Sequence, residues 1–393
     1  MGYVAAKGGL EAIRAAEELV RRQRNGGASP WLETGQLTGR LRLAVDRVMG
    51  EGGLWAPELA ARAFRQAEGD VIEASHLVRS YRSTLPRLAY TPAVPTDDAE
   101  VLRRIVPAFR NPPGPQLLGR TLDYTGRLID FTPDDEARAD AAEQEAARRE
   151  ALSTVDGDAS RAGDGTGDRR PGRLYELLRE MDLIVDRTNH DDPEPFDITR
   201  QPARPGAPRS ARLSTMARAE TGALVQLWYR NILGPDNHLH EVTLGEVRHA
   251  RLPVRVRHPR SGRPVTIGHV RVTEVEAIED LNGIDEDGSR FDVGYGLCLG
   301  HNERKAIAMA NLDISVHRDR GRSALEQSVL QTTDGLDASG FLEHLKLPHY
   351  VTFRSMVERK MARRSDAAEA RATAVHGLGG DDDVPLHNEE LCE

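Results

Sequence analysis

The run Val242-Thr243-Leu244-Gly245-Glu246-Val247, with Val254-Arg255-Val256 and then Val265-Thr266-Ile267-Gly268-His269-Val270-Arg271-Val272-Thr273-Glu274-Val275, decides the fold class. Apolar residues alternate with polar ones through Glu241 to Glu279, the period of a half-buried strand. Arg260-Ser261-Gly262-Arg263 interrupts the pattern where a hairpin would turn, so the pairing is antiparallel. On both sides the period is helical. Leu213 to Asn231 reads as a helix before the sheet; Ser323–Gln331 and Asp337 to His344 follow it.

Further upstream the chain is helical almost throughout. Leu10, Ile13, Ala16, Leu19 and Val20 recur at helical spacing and stop at Asn25-Gly26-Gly27. From Glu33 to about Leu88 three helices follow: Leu37, Leu41, Val45 and Val48 share one stripe, Pro57 opens the second helix, and Asp70 starts the third. Arg79 and Arg82 share a face of the last, either as a solvated basic surface or as an anion grip. The expectation is an α+β protein with a helical N-terminal layer followed by an antiparallel sheet with flanking helices. Residues 1–132 form the helical domain and residues 173–361 the α+β domain. Residues 133–172 lack apolar periodicity and read as a linker insertion, with a solvated helix in the first half, and 362–393 as an acidic disordered tail.

Composition narrows the function classes. The net charge of -9 argues against general nucleic-acid binding. No apolar run approaches the roughly 20 residues of a membrane span, and no signal peptide is evident, so a cytoplasmic location is expected. Two cysteines imply no disulfide framework. Of 53 basic residues only four are lysine: Lys7, Lys305, Lys346 and Lys360. A lysine surviving such an arginine bias marks a place for a compact ammonium, unless the placement is chance.

Three stretches carry candidate chemistry. Tyr3 to Ala6 followed by Lys7-Gly8-Gly9 is a strand candidate and a glycine turn before a helix, able to cradle phosphate or simply to turn. In Gly294-Tyr295-Gly296-Leu297-Cys298-Leu299-Gly300-His301-Asn302-Glu303-Arg304-Lys305, a buried strand leads to a helix capped by Asn302. Arg304 and Lys305 in its first turn oppose the helix dipole, which makes sense if an anion docks there. Gly294 and Gly296 either approach that anion or pack the strand tightly; the spacing is not the dinucleotide fingerprint. In Phe341-Leu342-Glu343-His344-Leu345-Lys346-Leu347-Pro348-His349-Tyr350, Pro348 ends a helix so that His349 can fold back beside His344, a spacing found for paired zinc ligands. Lys346 lies between them. Two histidines leave a zinc site short of its donors, so partners, water or substrate would supply the rest.

These stretches, with Leu43-Ala44-Val45-Asp46-Arg47-Val48-Met49, Gln116-Leu117-Leu118-Gly119 and Asp123-Tyr124-Thr125, resemble the PhnI family, a subunit of the bacterial carbon–phosphorus lyase core complex. The matches run in order from end to end and omit most of 133–172 and the tail after about 362. The resemblance implies displacement of adenine from ATP by a phosphonate at the ribose anomeric carbon, giving α-D-ribose 1-methylphosphonate 5-triphosphate. For the subunit alone it implies a nucleosidase. It also implies partners PhnG, PhnH and PhnJ, the ATPase-like PhnK and PhnL, and zinc held by His344 and His349 near the radical-enzyme subunit. Asp123 and Glu303 are then the candidate catalytic acids. Lys7, Gly294, Gly296, Arg304, Lys305 and Lys346 are the candidate phosphate contacts. The competing reading is a non-catalytic scaffold whose histidines complete a partner's zinc site. A free-standing zinc hydrolase is less well supported, since no HExxH is present.

Overall fold

A computed structural model describes residues 9–155, 172–187, 191, 193–233, 242–279, 288–318, 323–332, 334–346 and 350–377. They divide into two compact units, Pro30–Ala338 and Met1–Ser29 with Ser339–Glu393. The boundary expected at 132 falls inside the first unit, and residues 339–361 belong to the second.

The second unit, in its described part, contains α1 (Gly9–Asn25), which buries no residue, and α13 (Tyr350–Gly377). Helix α13 continues past residue 361, where the sequence suggested that order ends.

The larger unit begins with α2 (Thr34–Arg40), α3 (Arg42–Gly52), α4 (Pro57–Gln66) and α5 (Val71–Ser83). Their ends follow local chemistry. Pro57 occupies the first turn of α4, Asp70 caps α5 by accepting from the backbone N–H of Ile72 at 2.8 Å, and Gly53 closes α3 at φ 68°. Leu37, Val45, Val48, Met49, Ala60, Ala61, Ala74 and Val78 form their shared core. The stripe through Leu41 breaks there: Leu41 is 47% exposed and separates α2 from α3.

The sheet is antiparallel in the order β1-β2-β3-β4. Strands β2 (Val242–Arg257) and β3 (Pro264–Glu279) form the expected hairpin, whose turn is closed by His258 N–H to Arg263 O at 2.9 Å. β4 (Asp292–Leu299) pairs with β3, Val272 facing Leu299. The edge strand β1 (Glu100–Ile105) comes from the helical half and pairs with β2, which joins the two halves in one unit. Between β1 and the second half lies α6 (Asp134–Val155), the solvated helix expected at the start of 133–172; residues 156–171 lie outside the described residues.

Helices α7 (Leu174–Glu180), α8 (Arg209–Arg218), α9 (Thr221–Leu233), α10 (Glu303–Arg318), α11 (Ser323–Gln327), a π-helical turn at Ser328–Thr332 and α12 (Gly335–Leu345) complete the chain. The single helix expected over 213–231 is two, broken around Glu220. The main core packs Val247, Val275, Ala277 and Cys298 of the sheet against Ala306, Met309, Ala310, Leu312 and Ile314 of α10. Gly294 and Gly296 make that packing close. A Cβ on Gly294 would lie 1.9 Å from the Ala310 carbonyl oxygen, and one on Gly296 would lie 2.2 Å from that of Ala306. Both positions serve strand–helix packing.

Candidate functional site: an arginine-lined cleft at the start of α10

Between β4 and α10 the chain turns at Gly300 (φ 78°), and Asn302 caps the helix, its Oδ1 accepting from Lys305 N–H at 3.2 Å. Thr273 locks the turn, donating from Oγ1 to Gly300 O at 2.7 Å and accepting from Asn302 N–H at 3.0 Å. Buried Asp46 of α3 accepts from His301 N–H at 3.1 Å and from Arg271 at 2.6 Å. The side chain of Asn302 donates to Thr221 Oγ1 at 2.8 Å, and Thr221 Oγ1 to Glu51 Oε1 at 2.7 Å. The cap is thus fixed from three elements.

Over it opens a cleft of about 570 Å³ lined by Asp123, His301, Asn302, Glu303, Thr221 and six arginines: Arg40, Arg42, Arg47, Arg120, Arg127 and Arg304. Arg42 and Arg47 are tied to Asp46 and Glu51. Arg40, Arg120 and Arg304 have no carboxylate partner among the described residues. They leave positive charge to offer at the N-terminus of a helix, where the helix dipole also favours a phosphate.

The two candidate catalytic carboxylates meet here. Arg103 of β1 donates from Nε to Glu303 at 2.6 Å and from Nη2 to Asp123 at 2.5 Å. One guanidinium therefore holds both carboxylates, and Arg127 reaches Asp123 from the other side at 3.9 Å. A hydrogen bond with Thr121, with Arg103 beside it, holds the Asp123 carboxyl below its usual range. Asp123 is ionised at neutral pH.

His301 had no assigned role in the sequence, yet it lines the same cleft. Both Nη atoms of Arg42 lie 3.4 Å from its Nδ1, an arrangement that makes Nδ1 the acceptor and leaves the proton on Nε2, 3.8 Å from Glu303. Its ring lies 4.3 Å from that of buried His249. Burial pushes both imidazoles down, His249 to about 3, so the pair is neutral at pH 7. Arg103 and Arg120 were also missed, because arginines are abundant and only their convergence in space distinguishes them.

The remaining candidates separate from this cleft. Lys305 is 1% exposed, and its Nζ has no hydrogen-bond partner among the described residues. Burial lowers its pKa, against the opposing pull of Cys298 and Glu51. It faces the interior while Arg304 lines the cleft. Lys346 is exposed and paired with Glu343 at 2.6 Å. Arg79 is no solvated basic face: it pairs with Asp334 at 2.7 Å and donates to Glu51 O at 2.9 Å. Lys7 and His349 lie outside the described residues. His344 is half-buried on α12, its ring 6.5 Å from that of Phe341. Among the described residues no group of three His, Cys, Asp or Glu side chains is placed to hold a metal, and His344 offers a single donor. No helix among the described residues is long and apolar enough to cross a membrane.

The class so defined is an α+β protein in which a capped helix, an edge-strand arginine and two carboxylates frame an arginine-rich cleft. The profile of the bacterial phosphonate metabolism proteins PhnI matches residues 2–367. The chain belongs to the PhnI family. It is 41% identical over 381 residues to HtxH of Stutzerimonas stutzeri, named as a candidate C-P lyase subunit, covering 95% of this chain and 98% of that one. It is 36% identical over 378 residues to the α-D-ribose 1-methylphosphonate 5-triphosphate synthase subunit PhnI of Rhizobium meliloti (strain 1021), covering 94% and 97%. The protein of the same name from Escherichia coli (strain K12) is 36% identical over 364 residues, covering 91% and 96%.

Proposed function

We propose that the cleft binds ATP by its triphosphate and that the chain displaces adenine from the ribose anomeric carbon. Within a carbon–phosphorus lyase assembly the entering group is a phosphonate, and the product is α-D-ribose 1-methylphosphonate 5-triphosphate. The C1′–N9 bond breaks and a bond from C1′ to a phosphonate oxygen forms. The electron pair leaves with the base, which takes up a proton. With water in place of the phosphonate the same step is a nucleosidase reaction.

The observation that carries this reading is the convergence of three arginines lacking carboxylate partners on a cleft that also holds Asp123 and Glu303. Displacement at an anomeric carbon passes through an oxocarbenium-like state that a fixed carboxylate stabilises. Asp123, ionised and oriented by Arg103, is suited to that role. His301, whose Nε2–H stands 3.8 Å from Glu303, is suited to hydrogen-bond the leaving base, with Glu303 positioned beside it to support that contact. Arg304, Arg120 and Arg40 counter the triphosphate charge.

The partners PhnG, PhnH, PhnJ, PhnK and PhnL belong to this proposal, as does zinc at His344 and His349 completed by donors from a partner. Bound metal measured in the assembled complex tests the zinc assignment: His344→Ala should lower its content, and unchanged zinc would remove His344 from the ligand set. The ATP reading is tested by the KM for ATP in adenine release. Arg304→Ala and Arg120→Ala should each raise it about tenfold, the loss of about 1.4 kcal/mol expected when a charged phosphate contact is removed. An unchanged KM in both would contradict it.

A further inference from the structure

A second cleft of about 430 Å³ lies in the same unit, lined by Arg173, Arg179, Arg209, Glu276 and Tyr295, among others. Its floor is a charge cluster that does not balance. Glu246, Glu274, Glu276 and Asp97 share three guanidinium groups. Arg104 pairs with Glu246 at 2.8 Å. Arg248 pairs with Glu246 at 2.5 Å and reaches Asp97 at 3.5 Å and Glu274 at 3.9 Å. Arg173 pairs with Asp97 at 2.6 Å, Glu276 at 2.7 Å and Glu274 at 3.1 Å. Four carboxylates on three cations leave one negative charge over.

The surplus falls on Glu276. Glu274 is further satisfied by Tyr295 and Thr96, each donating at 2.8 Å, and Glu246 by Leu174 N–H at 3.2 Å. Glu276 has Arg173 on Oε1, while its Oε2 is buried with no hydrogen-bond partner among the described residues. Burial accordingly pushes its carboxyl up to about 7. A buried acceptor left unmatched costs about 1–3 kcal/mol, and a cation supplied from the cleft removes both that cost and the charge surplus. At the rim the sign reverses. Arg209 is 41% exposed beyond its pairing with Asp313, and Arg179 stands over the Tyr175 ring at 5.9 Å.

We propose that this cleft binds a small zwitterion, its ammonium group seated on Glu276 and its oxyanion held by Arg179 and Arg209. The oxyanion is a carboxylate, as in β-alanine. Neither ATP nor adenine release is involved, so this site stands or falls apart from the arginine-lined cleft.

Isothermal titration of the full chain with β-alanine, propionate and ethylamine tests it. β-Alanine should bind one-to-one and at least tenfold more tightly than either single-charge probe. Glu276→Gln, which keeps the shape, should weaken binding at least tenfold. Arg179→Ala, a rim change that leaves the cluster intact, should weaken it several-fold, and Arg304→Ala should leave it unchanged. Absence of β-alanine binding, equal binding of propionate, or binding unaffected by Glu276→Gln and Arg179→Ala would overturn the proposal.

Discussion

Asp123 and Glu303 are held by one guanidinium, and their separate roles make separate demands on kinetics. Asp123→Asn keeps the shape but removes the charge that a developing ribosyl cation would feel. It should lower kcat for adenine release at least about a hundredfold with little change in KM. Lys305 makes the opposite demand. An ammonium buried with no partner destabilises the fold, so Lys305→Met should raise Tm, by about 1–2 kcal/mol of stability, and leave the KM for ATP unchanged. A raised KM would return Lys305 to the phosphate site, as its position in the first turn of α10 suggested. His249 gives a pH signature. Its folded pKa, about 3, lies below the unfolded value near 6.5, so protonation favours the unfolded chain. The stability it supports is complete above pH 6.5 and is lost as pH falls from there toward 3. Wild type should therefore lose Tm on acidification over that range, and His249→Gln should flatten the loss.

The packing of β4 on α10 depends on two positions without side chains. Gly296→Ala would set a Cβ 2.2 Å from the Ala306 carbonyl oxygen, a backbone atom that cannot swing aside. It should cost about 3 kcal/mol, read as a lower Tm in the purified variant. An unchanged Tm would show that α10 can withdraw from the strand. These glycines also mark what was legible at this scale. The hairpin β2–β3 was readable because one face of each strand is buried, which enforces alternation. The cap at Asn302 was readable because its chemistry is local. Strand β1 was not: Arg103 and Arg104 are adjacent and both buried in ion pairs, so its six residues carry no apolar alternation. The split between α8 and α9 is made by Glu220, which caps α9 by accepting from Gly222 N–H at 2.6 Å and Ala223 N–H at 2.7 Å; it went unread because glutamate is an uncommon cap and because Arg47, far away in sequence, also holds it at 2.6 Å.

At the scale of the molecule, sequence order and spatial order diverge. The chain is assembled around a sheet whose edge strand comes from residues 100–105, so the candidate site draws on α3, β1, the Thr121–Asp123 segment and α10 together. The stretch leading into α10 announced one side of it through Asn302 and Arg304; Asp123 and Glu303 came from the family resemblance, and their shared Arg103 only from the fold. The measurement that bears most directly on the central claim is adenine release from ATP by the purified full chain, wild type against Asp123→Asn and Arg304→Ala. The account predicts release by wild type, a kcat loss in the first variant and a KM rise in the second. Release that is unaltered in both would mean that the base is displaced elsewhere and that the arginine-lined cleft is not where it happens.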